Sequence, residues 1–177
     1  MWNFIQRLFS LIVTQKPASP KAVAARPTAY TTRLGKTVPV DDAFHAWTSG
    51  DLNEMLKALP VKTNLIDRHF LLMGIVDATY KNRTDPKMAQ RCAQVAEMHL
   101  TEFPKIAPAL KKDMDGILPR VTTFQHYATL LSEQGEYDKA IAVCEQAIKY
   151  GLRDNTQSGF KGRIERIKEQ KAKHQST

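Results

Sequence analysis

Cys92, His99 and Cys144 are the side chains of this sequence whose types could assemble a thiol nucleophile and its base. In such a site the imidazole takes the thiol proton and leaves a thiolate to attack an electrophilic centre. Nothing local to any of the three orients one toward another. Neither cysteine belongs to a C-x-x-C pair or has a histidine at ligand spacing, so no zinc site is indicated. In KKDMDG, Asp113 and Asp115 have the alternation that opens a calcium loop, but the later oxygen ligands and the closing bidentate glutamate are missing. There is no Walker loop and no dinucleotide fingerprint. Two acid pairs, Glu133 with Glu136 and Glu165 with Glu169, read as solvated helix faces. The residue types therefore indicate no catalytic residue, no cofactor and no metal, and the chain reads as a protein that is not an enzyme.

A second chemistry belongs to the basic stripe Lys161, Arg163, Arg166, Lys168, Lys171 and Lys173. Clustered cations of this kind contact phosphates, which makes Lys161, Arg163 and Arg166 candidate anion contacts and a nucleic-acid-associated protein the alternative reading. Against it, Glu165 and Glu169 dilute the field, and no aromatic residues are interleaved for base stacking. The favoured reading is the solvent face of a helix, with cations placed well near its C-terminal end.

Charge is unevenly spread along the 177 residues. The formal net charge is +8, yet residues 1–40 hold six Lys or Arg (Arg7, Lys16, Lys21, Arg26, Arg33, Lys36) and no acid. The remainder carries 20 basic against 18 acidic residues, so the body is nearly neutral and the excess sits in the tail. In MWNFIQRLFSLIVT, a helical projection gathers Asn3, Gln6, Arg7, Ser10 and Thr14 into an arc of about 100°. Trp2, Phe4, Ile5, Leu8, Phe9, Leu11 and Ile12 fill the apolar remainder and are the predicted anchor. A bilayer crossing needs ~20 apolar residues, so residues 1–14 suit the membrane interface instead. The acid-free stretch that follows adds attraction to anionic lipid. Docking on a partner or on the protein's own body is the rival, and a mitochondrial transit peptide is a further one. Residues 15–40, with four prolines and no apolar periodicity, read as a flexible, solvated linker. Two isolated cysteines point to a reducing compartment, so the expected location is cytoplasmic and peripheral at a membrane.

From Asp41 onward the apolar period is helical, and no run alternates as a strand would. The 42% hydrophobic content suffices for one core, placed at 41–174. DDAFHAWTSG predicts a short helix closed by Gly50, and Asp51 with Glu54 has capping-box spacing for the next, which stops at Pro60. Further helices are predicted over 64–81, from Pro86 to Phe103, weakly over 105–117, and over 120–134, 137–150 and 158–173. The fold class is all-α, with helix pairs joined by short turns.

One stretch carries a pattern. In Phe124, Tyr127, Ala128, Leu131, then Gly135 and Tyr137, then Ala140, Ile141, Cys144 and Ala147, bulky residues precede a Gly-x-Tyr turn and small residues follow it. Small residues at Ala128, Ala140 and Ala147 let two helices approach, and aromatics fill the remaining space. Over residues 124–152 this resembles a tetratricopeptide repeat. Cys144 falls where that family places a bulky apolar residue, which makes it a packing residue. Ala89, Ala93 and Ala96 repeat the spacing of Ala140, Cys144 and Ala147, so residues 70–103 form a candidate second unit, with Pro104 as its closing proline. Residues 43–59 are a truncated third. A capping helix is expected, and Phe160, Ile164 and Ile167 form its stripe. Gly162, unfavourable inside a helix, implies a second helix packed close there.

What the resemblance implies is a short helical solenoid whose groove takes a protein or peptide partner. Its groove positions here are Gln125, Thr129, Ser132 and Glu133. Members that clamp a terminal carboxylate use a Lys and an Asn, and Gln125 and Thr129 stand in those places, so that mode is not expected. The groove could instead receive the N-terminal helix. The functional expectation is a non-catalytic interaction module or adaptor, recruited by its N-terminal helix.

Overall fold

The computed structural model describes residues 29–176. The predicted helix over 1–14, its anchor residues, and the linker as far as residue 28 lie outside the described residues. The described chain opens with a hairpin, β1 (Tyr30–Arg33) and β2 (Lys36–Pro39), followed by seven helices. These are α1 (Asp42–Ser49), α2 (Leu52–Ala58), α3 (Leu65–Lys81), α4 (Pro86–Asp113), α5 (Thr122–Glu133), α6 (Tyr137–Lys149) and α7 (Gly159–Gln175).

The hairpin corrects the linker reading over residues 30–39. Leu34 and Gly35 both have positive φ, 53° and 73°, the primed geometry that matches strand twist. Thr31 pairs with Val38 and Thr32 with Thr37, a β-branched register. A lone two-stranded hairpin is marginal in water. This one is held by the body: Arg33 reaches Asp67 on α3, and the Leu34 amide donates to the Asp113 carboxylate at the end of α4.

The helix ends follow their local chemistry. Asp41 caps α1, Asp51 accepts from the amides of Asn53 and Glu54 to cap α2, Asn64 caps α3, and Asp85 precedes Pro86 at the start of α4. Gly50, Gly135 and Gly151 have φ of 70°, 78° and 74° and end α1, α5 and α6 in the left-handed region.

α4 departs from expectation. It runs through Pro104 and Pro108 to Asp113, so there is no break after Phe103, no separate helix over 105–117, and no closing proline for an earlier unit. A proline interrupts the hydrogen-bond ladder at an interior position. Here both prolines face solvent, while Phe103, Ile106, Ala107 and Leu110 stay buried. Burial of that stripe outweighs the local penalty.

One core cluster extends from Ala43 to Ile167. α1 packs on α2, α3 on α4, and α5 on α6; α3 also meets both α1 and α2, α5 meets both α3 and α4, and α7 packs on α6. Ala128, Ala140, Cys144 and Ala147 are fully buried at these contacts. No helix among the described residues is long and apolar enough to cross a membrane.

Candidate functional site

A groove of about 520 Å³ opens between α5 and α7. Its α5 wall is made of Ala128, Thr129, Ser132 and Glu133, with Tyr137 at the turn into α6. Arg163, Arg166, Ile167, Gln170, Lys173 and His174 of α7 face them. Both walls follow from helical spacing: 129, 132 and 133 share one face, as do 163, 166, 170 and 173. The structure thus brings together Thr129, Ser132, Glu133, Arg163 and Arg166, which the sequence placed in two separate sites. Gln125 does not line the groove; its carbonyl accepts from the Thr129 hydroxyl and its side-chain amide lies 3.3 Å from His126 Nε2. Lys161 is exposed outside it.

The groove is braced from within. Arg163 donates through Nε to Asp154 at 2.9 Å and through Nη1 to Thr129 Oγ1 at 2.8 Å, tying the α6–α7 loop to α5. Burial alone would push the Asp154 carboxyl up. Hydrogen bonds from the Thr156 hydroxyl and amide and from Arg163, with the guanidinium charge, bring it below the ordinary carboxylate value. Ser132 donates to Gln170 Oε1 at 2.6 Å and sets the spacing of the walls. Glu133 accepts two 2.8 Å bonds from Arg83, and these hold its carboxyl below the ordinary value.

Arg83 links the groove to α3. Its guanidinium lies 4.1 Å over the Tyr80 ring, and Tyr80 stacks on His126 at 4.1 Å with 6° between planes. His126 Nδ1 is 3.1 Å from Asp77 Oδ1, at ion-pair distance but not aligned for a hydrogen bond, while Thr122 donates to that oxygen at 2.5 Å.

α7 seats itself through Phe160 and Ile167, both buried, with Ile164 half-buried beside them. Gly162 has a reason other than the expected neighbouring helix. A Cβ there would stand 2.1 Å from Ser158 Oγ and 2.2 Å from Ser158 Cβ, so the residue just before α7 occupies the space.

The thiol–imidazole candidates are not assembled. Cys92 and Cys144 are free and buried, and burial pushes their thiols up to about 11 and about 12. His99 turns instead to His69 and Thr123. Asp113 accepts from the Leu34 amide, and no group of three or more His, Cys, Asp or Glu able to hold a metal occurs among the described residues.

Two buried polar clusters had no signature in spacing. His69 Nδ1 lies 3.0 Å from His99 Nε2, and His99 Nδ1 lies 2.8 Å from Thr123 Oγ1, all three residues fully buried. Asp67 collects Arg33, the Trp47 indole N–H at 3.0 Å and the Asn64 amide at 2.6 Å. The one available signal was a histidine on each apolar stripe of α3 and α4 and an aspartate among the apolar residues that open α3. Compared with protein-family models, with curated proteins and with solved structures, the chain matches none.

Proposed function

We propose that this protein is a non-catalytic protein–protein interaction module built as a short tetratricopeptide-like stack, in which α1–α2, α3–α4 and α5–α6 are successive units and α7 is the cap. The observation that carries the reading is the neighbour pattern: each unit's first helix packs on both helices of the unit before it. That arrangement leaves a row of first helices along one side, and the row ends in the open groove between α5 and α7.

Recruitment would come from residues 1–14, whose apolar face carries Trp2, Phe4, Ile5, Leu8, Phe9, Leu11 and Ile12. The test is liposome co-sedimentation of the full chain beside Leu8→Glu and Phe9→Glu variants, with neutral and anionic vesicles. Pelleting of the wild type on anionic vesicles, lost in both variants, supports an interfacial anchor. Wild type left in the supernatant removes the membrane from the proposal and leaves a protein partner for the helix. A shift to polynucleotide in place of vesicles, steeply weakened by salt, would favour the nucleic-acid alternative.

A further inference from the structure

We infer that the α5–α7 groove takes an acidic segment of extended peptide, with a side-chain carboxylate seated on Arg166. This rests on the reading of the body as an interaction module and gives that module a partner chemistry.

The charge arrangement of the groove carries it. Of the charges that line it, Arg163 is matched by buried Asp154, and Glu133 is matched by Arg83. Arg166 differs. Among the described residues it donates one hydrogen bond, to the neutral Ser158 hydroxyl at 3.0 Å, and has no ion pair. A guanidinium has five N–H donors in a planar fork suited to a carboxylate, so most of the recognition capacity of Arg166 is unspent. Ile167 supplies an apolar floor beside it. The Ser132–Gln170 and Thr129–Arg163 bonds fix the walls before a ligand arrives, which lowers the ordering cost of binding.

Other occupants fit less well. The chain's own residues 1–28 carry Arg7, Lys16, Lys21 and Arg26 with no acid, the same sign as the groove. A nucleic acid would find no flat platform for its bases, since Tyr137 is turned against His174 at 60°. A bilayer surface cannot enter a concave groove.

The test is an NMR titration of the isotope-labelled full chain with capped hexaglutamate, hexaglutamine and hexalysine peptides and with a short oligothymidylate. Hexaglutamate is expected to move amides of α5 and α7, with an affinity reduced about tenfold or more in Arg166→Glu and by a smaller factor in Arg166→Lys, which keeps the charge but loses the planar fork. Arg166→Gln, which can still bond Ser158, serves as a milder variant, and circular dichroism checks that each remains helical. If hexaglutamine, hexalysine or oligothymidylate moves those amides and hexaglutamate does not, the acidic inference falls and a binding groove stands. Unchanged hexaglutamate affinity in both Arg166→Glu and Arg166→Gln overturns the assignment to this side chain. Should none of the four ligands move them, the acidic-peptide inference is overturned, while the membrane test above still decides the recruitment reading.

Discussion

His69 and His99 face each other ring nitrogen to ring nitrogen at 3.0 Å in the middle of the α3–α4 contact, with neither ring exposed. His69 Nε2 has no partner, and an unpaired lone pair is more tolerable in a core than an unpaired N–H. The proton therefore belongs on His69 Nδ1, donating to His99 Nε2, and His99 Nδ1–H donates to Thr123. Both rings are neutral in this chain of bonds.

That neutrality predicts acid sensitivity. Burial lowers His69 from 6.5 to about 4, against a small opposing pull from Asp77, and burial, then the His69 and Arg68 charges, hold His99 well below its ordinary value. Folded pKa values below the unfolded ones mean the unfolded chain binds more protons as pH falls. Stability from His69 is complete above pH 6.5 and is lost as pH falls toward about 4, by about 3 kcal/mol. Urea unfolding between pH 7 and 4 should show this slope, and His69→Leu should flatten it. Asp154, with its lowered carboxyl, loses its contribution only below the ordinary carboxylate range.

Arg33 is expected to hold the hairpin. It makes a two-nitrogen contact with Asp67, at 2.6 and 3.3 Å, and Asp67 is 1% exposed. Arg33→Ala leaves a buried carboxylate with only Trp47 and Asn64 as neutral donors, and should cost about 3 kcal/mol. Amide exchange should rise across 30–40 well before the helices are affected. Equal protection in the variant would mean that the hairpin stands without this contact.

Gly162→Ala should destabilise, although helix propensity alone favours alanine by ~1 kcal/mol. The new methyl group collides with Ser158, and overpacking of this kind costs roughly 1–3 kcal/mol. In a Ser158→Gly background the collision is gone, so the same substitution should become stabilising. A double-mutant cycle read by thermal unfolding distinguishes this from a neighbouring helix, for which the sign would not change.

The two thiols should be silent in the native protein. With values raised to about 11 and about 12 and no exposure, Cys92 and Cys144 should react with a thiol reagent at pH 7.5 no faster than the protein unfolds. Rapid labelling of either in native buffer would contradict their role as packing residues.

Much of the fold is legible locally. Asp51 with Glu54, Gly50, Gly135 and Gly151 mark helix ends because caps and left-handed residues act within one turn of chain. The apolar period finds the buried faces, and Ala128, Ala140, Cys144 and Ala147 are where a close helix contact needs small side chains. Of the four positions that the tetratricopeptide resemblance implies, Thr129, Ser132 and Glu133 line the groove between α5 and α7 and Gln125 does not.

Other features depend on partners distant in sequence. A hairpin at 30–39 is not written in its own residues strongly enough to outweigh four prolines nearby; it exists because Arg33 meets Asp67, 34 residues on. Pro104 reads as a stop, and α4 passes through it because a stripe on the opposite face has a core to enter. The histidines look solitary until α3 and α4 pack and bring two rings 30 residues apart into contact. Arg163 and Arg166 are alike on the chain, yet one is consumed by Asp154 and Thr129 while the other donates to the neutral Ser158 hydroxyl. By itself the sequence determined most helix ends and the faces the helices would bury, since those follow from caps and periodicity. Tertiary structure decided which polar groups are spent on one another and which stay open to solvent, because that depends on distances between segments that no local spacing encodes.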